Sequence, residues 1–277
     1  MMININRKIC DVKYFYIIGI LTILIPIVGS LWRGPIFCDS AYYLCMVERI
    51  TEGFVPYKTL HLGYTPLWFY MMAFIKLLFG IPNGSYEFFL LIHYLFSIGT
   101  MFLLYKIAYY FTKSKNVALF SGWLFFLMAH WLQGNVILLE IPSLFFGLLG
   151  CWLLLSFPFK SICWYLLIGG VSSCSFLIKQ FGFGFFFLSI YLLIFYRKDF
   201  FRERIILFIL GYIIPIFLCF IIWKSSFLSV VFSGYGTTTA QEAGYDVSLK
   251  TKLDGIFYIL KYFCFSVCPM VIIALFF

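Results

Sequence analysis

Polar positions are rare along this chain and fall in clusters that separate long apolar runs. Runs of about 18–22 apolar residues are the length a helix needs to cross a hydrocarbon core. The pattern predicts an all-α, polytopic integral membrane protein of about eight transmembrane helices. The expected spans are about Tyr14–Trp32, Glu87–Tyr105, Val117–Leu132, Val136–Ser156, Cys163–Ile178, Phe183–Tyr196, Ile205–Trp223 and Gly255–Phe277. One run, Leu67 to Gly80, is too short: about 14 residues at 1.5 Å each reach only ~21 Å of a ~30 Å core. The first long polar interruption is Phe37 to Pro66, "FCDSAYYLCMVERITEGFVPYKTLHLGYTP". Within it, Tyr42, Tyr43, Met46 and Ile50 recur at helical spacing with charges opposite, which reads as an amphipathic helix from Asp39 to Gly53 lying in the interface. The expected organisation is a single membrane domain, 1–277, with a first outer loop at 33–85 carrying two interfacial helices and a later outer loop at 224–254.

Charge decides the fate of the short run. Arg7, Lys8 and Lys13 precede the first span, so the N-terminus is expected in the cytoplasm. If Leu67–Gly80 crossed, Lys106, Lys113, Lys115, Lys160, Arg197, Lys198, Arg202 and Arg204 would all face outward. If it lies in the interface, all of them face inward with the N-terminus. The second arrangement obeys the positive-inside rule and places the Asp39 loop outside.

Composition narrows the function. Hydrophobic residues make up 64% and charged residues 11%, a balance that would leave a water-soluble domain covered in apolar surface. The net charge of +9 does not point to nucleic acid, because the basic residues sit where membrane topology requires them. Most of the nine cysteines lie inside apolar runs and form no CxxC pair, so neither a zinc site nor a disulfide framework is suggested. The first apolar run lacks a small-residue cleavage site and reads as a signal anchor. The abrupt end at Phe277 suggests a shortened member of a longer type.

Four places carry candidate chemistry. Asp39 opens the outer loop. Glu140, in "GNVILLEIPSLFF", is expected one turn into a span, where a carboxylate is costly unless it is used or paired; a helix N-terminus favours a carboxylate there. The plainer reading is that Glu140 pairs with a nearby lysine or caps its own helix. Lys179, followed by Gln180 in "LIKQFGFG", closes the fifth span on the outer side and would suit a phosphate, or would simply snorkel. His61 and Tyr64 precede Pro66 and would bind a phosphate or another polar group. His93 and His130, in or near spans, read as partners in interhelical hydrogen bonds, and Gly169, Gly170, Ser172 and Ser173 as a close helix contact.

In their order, spacing and expected sidedness these segments resemble the polyprenyl-phosphate-sugar-dependent glycosyltransferases of the C-type membrane fold. That group includes protein O-mannosyltransferases and lipid A aminoarabinose transferases. "CDSAYYLCMVERITEGFVPY" resembles the family's first-loop acid with its trailing G-x-PY, and "HLGYTPLWFYMMAFIKLLFG" its H/K-x-PP-L-x-x-Y segment. "LLEIPSLFF" resembles the second acid near a proline, and "LIKQFGFG" the later LxK segment. The likeness covers about Tyr14 to Tyr196. Thr65–Pro66 stands where the family has Pro-Pro, Tyr64 replaces a usual His or Lys, and Ile141 separates Glu140 from Pro142. The resemblance implies inverting sugar transfer at the outer face of a bacterial inner membrane, from a polyprenyl-phosphate sugar to a glycan, lipid or protein acceptor. Asp39 would be the general base and Glu140 would orient the acceptor or a divalent metal ion. Lys179, with His61, would neutralise the leaving phosphate. The readings set against it are a transporter or flippase of lipid-linked precursors, and an inactive truncated relative.

Overall fold

The computed structural model describes residues 24, 28, 38–60, 62–129, 137–156, 163–196 and 201–242. The chain divides into two compact units, Met1–Leu228 and Ser229–Phe277. Among the described residues it is all-α: α1 Cys38–Thr51, α2 Leu67–Phe79, α3 Tyr86–Thr112, α4 Lys115–Leu127, α5 Glu140–Ser156, α6 Cys163–Ile178, a 3₁₀ turn Gln180–Phe183, α7 Gly184–Tyr196 and α8 Phe201–Glu242. In the second unit the description covers residues 229–242, all helical.

The short helices of the first loop form as their pattern dictates. α1 buries Tyr43 and Val47 and half-buries Tyr42, Met46 and Ile50, while Asp39, Arg49 and Glu52 stay exposed. α2 begins right after Pro66, stops at Gly80 in the left-handed region (φ +60), and is 13 residues long. Its inner face, Trp68, Phe69, Met72 and Ala73, enters the same core as Tyr43, Tyr64, Leu90 and Tyr94. Its outer face, Phe74, Leu77, Leu78 and Phe79, is bare.

A cation inside the apolar run of α2 is the less expected feature. Lys76 is buried, its ammonium donating to the side-chain carbonyl of Asn83 and lying 3.8 Å from Glu48 of α1. The same Glu48 carboxylate accepts the Gly84 N–H at 2.6 Å. One buried charge thus fastens α1, α2 and the turn before α3 together, with the desolvated ammonium matched on two sides.

Two of these helices, Tyr86–Thr112 and Arg202–Lys224, are long and apolar enough to cross a membrane; the others are shorter. α3 and α4 form a hairpin. Lys113 takes the left-handed conformation (φ +55) at the end of α3, and the Ser114 hydroxyl accepts the Val117 N–H at 3.5 Å to start α4. On α8, Ile206, Leu210, Ile213, Ile214, Phe217, Leu218, Ile221 and Ile222 are all exposed. An apolar stripe of that extent is a surface built for lipid or a partner rather than water. The apolar stretch ends at Lys224, whose φ is +50, and the helix continues to Glu242, within the segment expected as the later outer loop.

Candidate active site

Two helix N-termini meet at the Asp39 loop. Asp39 lies exposed in the first turn of α1, and the next residue, Ser40, is fully buried. The Ser40 hydroxyl accepts the N–H of Ile137 at 3.1 Å, which ties the head of α1 to the short segment leading into α5. Ile137 and Leu139 are buried on either side of Leu138, so the segment is anchored before the helix begins.

Glu140 is the first residue of α5, which begins about one turn later than the Val136 start expected from the apolar run. The reason is local. Pro142 has no N–H and fits best in a first turn, so a helix starting at Val136 would lose a hydrogen bond there. The carboxylate does not cap its own helix: Ile141 and Ser143 donate to the carbonyls of Leu138 and Leu139, and Pro142 has nothing to donate. It pairs with Lys179 instead.

Lys179 follows the last residue of α6 in extended conformation and opens the 3₁₀ turn. Its N–H donates to Ser175 at 3.1 Å, and its carbonyl accepts the Gly182 N–H at 2.8 Å. The Ser175 carbonyl also accepts the Ser143 hydroxyl at 2.9 Å, so the first turn of α5 and the last turn of α6 share one acceptor. That shared carbonyl brings Glu140 and Lys179 together. The ammonium lies 5.7 Å from the centre of the Tyr64 ring and 5.8 Å from that of Phe181, both cation–π distances.

Tyr64 is buried beneath this pair and held on every side. Its carbonyl accepts the Tyr57 hydroxyl at 2.5 Å, Thr65 donates to the Phe176 carbonyl at 3.0 Å, and Tyr43 packs edge-on at 5.6 Å. The Tyr43 phenol is pushed far above its ordinary value. Burial is the main cause, followed by its hydrogen bond and Coulombic coupling to Tyr64, then the charges of Asp39 and Glu140. Both carboxylates therefore act on one buried hydroxyl, and Asp39, Tyr43, Tyr64, Glu140 and Lys179 share a neighbourhood. Beside Lys179, Gln180 has a buried side-chain oxygen with no hydrogen-bond partner among the described residues.

His61 and His130 lie outside the described residues. His93 is buried in α3 among the core residues. Sequence reasoning missed Ser40, Tyr43, Thr65 and Ser143. Of these, Tyr43 carried a signal, since it stands one helical turn from Asp39. The described residues hold no group of three or more His, Cys, Asp or Glu placed for a metal. A divalent ion here would need ligand oxygens beside Asp39 and Glu140.

Compared with protein-family models, with characterised proteins and with solved structures, the chain has no match in any of the three.

Proposed function

We propose that this chain is a multi-pass membrane glycosyltransferase that moves a sugar from a polyprenyl phosphate to an acceptor hydroxyl at the outer face of the cell membrane. The observation that carries the reading is the convergence of an exposed carboxylate, Asp39, with a carboxylate–ammonium pair, Glu140 and Lys179, around a buried tyrosine pair. Of the four segments that resemble the family, the three that supply these charges lie far apart in sequence. Two helices of membrane-crossing length and the bare apolar face of α8 support a membrane setting. The cytoplasmic N-terminus, the outer location of the Asp39 loop and the count of about eight spans belong to this proposal and rest on the charge pattern.

In the reaction, Asp39 takes the proton of the acceptor hydroxyl as its oxygen attacks the anomeric carbon from the face opposite the phosphate. The bond from that carbon to the phosphate oxygen breaks, and its electron pair leaves with the phosphate. Lys179, a partly desolvated cation, would meet this growing negative charge.

The test is sugar transfer from labelled polyprenyl-phosphate sugars in membranes containing the chain, beside Asp39→Asn at matched expression. Donor consumption that Asp39→Asn abolishes is the expected result. Equal turnover by the variant removes Asp39 as the base. No consumption of any donor by a stably inserted protein removes the transferase reading and favours transport of lipid-linked precursors or an inactive relative.

A further inference from the structure

The Glu140–Lys179 pair is lopsided: the lysine side chain is 10% exposed and the glutamate side chain 54%. Protein encloses the ammonium, with the Tyr64 and Phe181 rings within 6 Å and the α6 end behind it. The carboxylate stands on the side that the protein leaves uncovered. Glu140 is therefore already in the place that an anion approaching Lys179 would need. Two anions crowded on one ammonium repel each other, so an incoming phosphate must compete with the carboxylate.

We propose that Glu140 is the resident counter-ion of Lys179 and that a phosphate monoester or diester displaces it on binding. The idea rests on the reading of Lys179 as a phosphate site given above. The exchange has two consequences. Before the ligand arrives, the desolvated ammonium is never left unpaired, a state that proteins avoid. Once the ligand has arrived, the Glu140 carboxylate is released at the mouth of the site, free to accept a hydrogen bond from the acceptor hydroxyl that Asp39 will deprotonate. Donor binding then prepares the acceptor subsite, and the order of binding is built into one ion pair.

The experiment uses the full chain in lipid nanodiscs as wild type, Glu140→Gln, Glu140→Asp and Lys179→Ala, with folding followed by size-exclusion profile. Binding of a polyprenyl monophosphate is measured beside binding of inorganic phosphate, so that lipid-borne and free anions are told apart. Glu140→Gln should bind the lipid phosphate about tenfold tighter than wild type, equivalent to about 1.4 kcal/mol. Glu140→Asp, which keeps the charge, should stay near wild type, and Lys179→Ala should bind weakest. Tightening for both anions would show that charge alone is recognised; tightening for the lipid form alone would show that the chain is recognised too. A well-folded Glu140→Gln that binds no tighter than wild type overturns the counter-ion role, even if Asp39-dependent transfer stands. Binding of neither anion by wild type and Glu140→Gln overturns it as well, and with it the phosphate half of the proposed function.

Discussion

Gly182 and Gly184, two residues apart in "LIKQFGFG", look interchangeable in sequence but should respond oppositely to alanine. A Cβ at Gly182 would lie 2.3 Å from both the carbonyl carbon and oxygen of Ser175 and 2.4 Å from its hydroxyl. Ordinary contact begins at 3.4 Å, so the 3₁₀ turn would have to retreat by about 1 Å. The obstacle is helix backbone, not a side chain that swings away. The obstructed carbonyl also accepts from Lys179 and Ser143. Overpacking of this kind costs about 1–3 kcal/mol, and the shift falls on the residue that presents the ammonium to Glu140. At Gly184 a Cβ meets nothing within 4 Å, and the residue has helical φ at the start of α7. Alanine there should be neutral or should stabilise by up to about 1 kcal/mol through its helix propensity. Thermal unfolding in detergent and the lipid-phosphate affinity of both variants check this directly. Gly182→Ala should lower the midpoint and weaken binding several-fold, and Gly184→Ala should leave both unchanged or raise the midpoint. Equal behaviour of the two would refute the claim that the 3₁₀ turn is seated on the Ser175 carbonyl.

Ser40→Ala should cost about 1–2 kcal/mol, because the buried Ile137 N–H loses its acceptor; it should also slow transfer by letting the head of α5 drift from Asp39, read as lower turnover at unchanged expression. Lys76→Ala should destabilise by about 2 kcal/mol or more, since it takes the cation from Glu48, leaves the Asn83 carbonyl without its donor and removes a packed methylene stem. Lys76→Met, which keeps the stem, should lose less, and the two midpoints compared in one detergent decide it. Alkaline titration gives a further check. The phenols of Tyr43 and Tyr57 are both raised from 10.0, chiefly by burial, so the folded state resists their ionisation. Their contribution is fully present below about pH 10 and is lost as the pH climbs beyond it. The unfolding midpoint should fall above that value, and less steeply in a Tyr43→Phe, Tyr57→Phe double variant; identical slopes would contradict the burial of these hydroxyls.

What was legible in the sequence followed from periodicity and from residues that can occupy few positions. The amphipathic α1, the short α2 ending at a glycine, and the placement of Lys179 at a helix end all rest on such rules, and each appears at or near its expected bounds. The start of α5 differs from the expected Val136 because apolar content extends a run past the point where its helix begins. Val136 to Leu139 are apolar, but Pro142 fixes the first turn of α5. That difference changes the chemistry. A carboxylate one turn inside a span would have to be paired permanently. At the head of the helix it is half uncovered and bound to a cation that is buried, the arrangement that the proposed exchange needs. The long-range contacts Ser40–Ile137, Thr65–Phe176 and Ser143–Ser175 could not be read from the sequence, because each joins a common small hydroxyl residue to a backbone group with no pattern of its own. Yet these three bonds draw the Asp39, Tyr64, Glu140 and Lys179 segments into one place. Single losses among them should therefore weaken phosphate binding and transfer together, even though none of the three hydroxyls is assigned a contact with substrate.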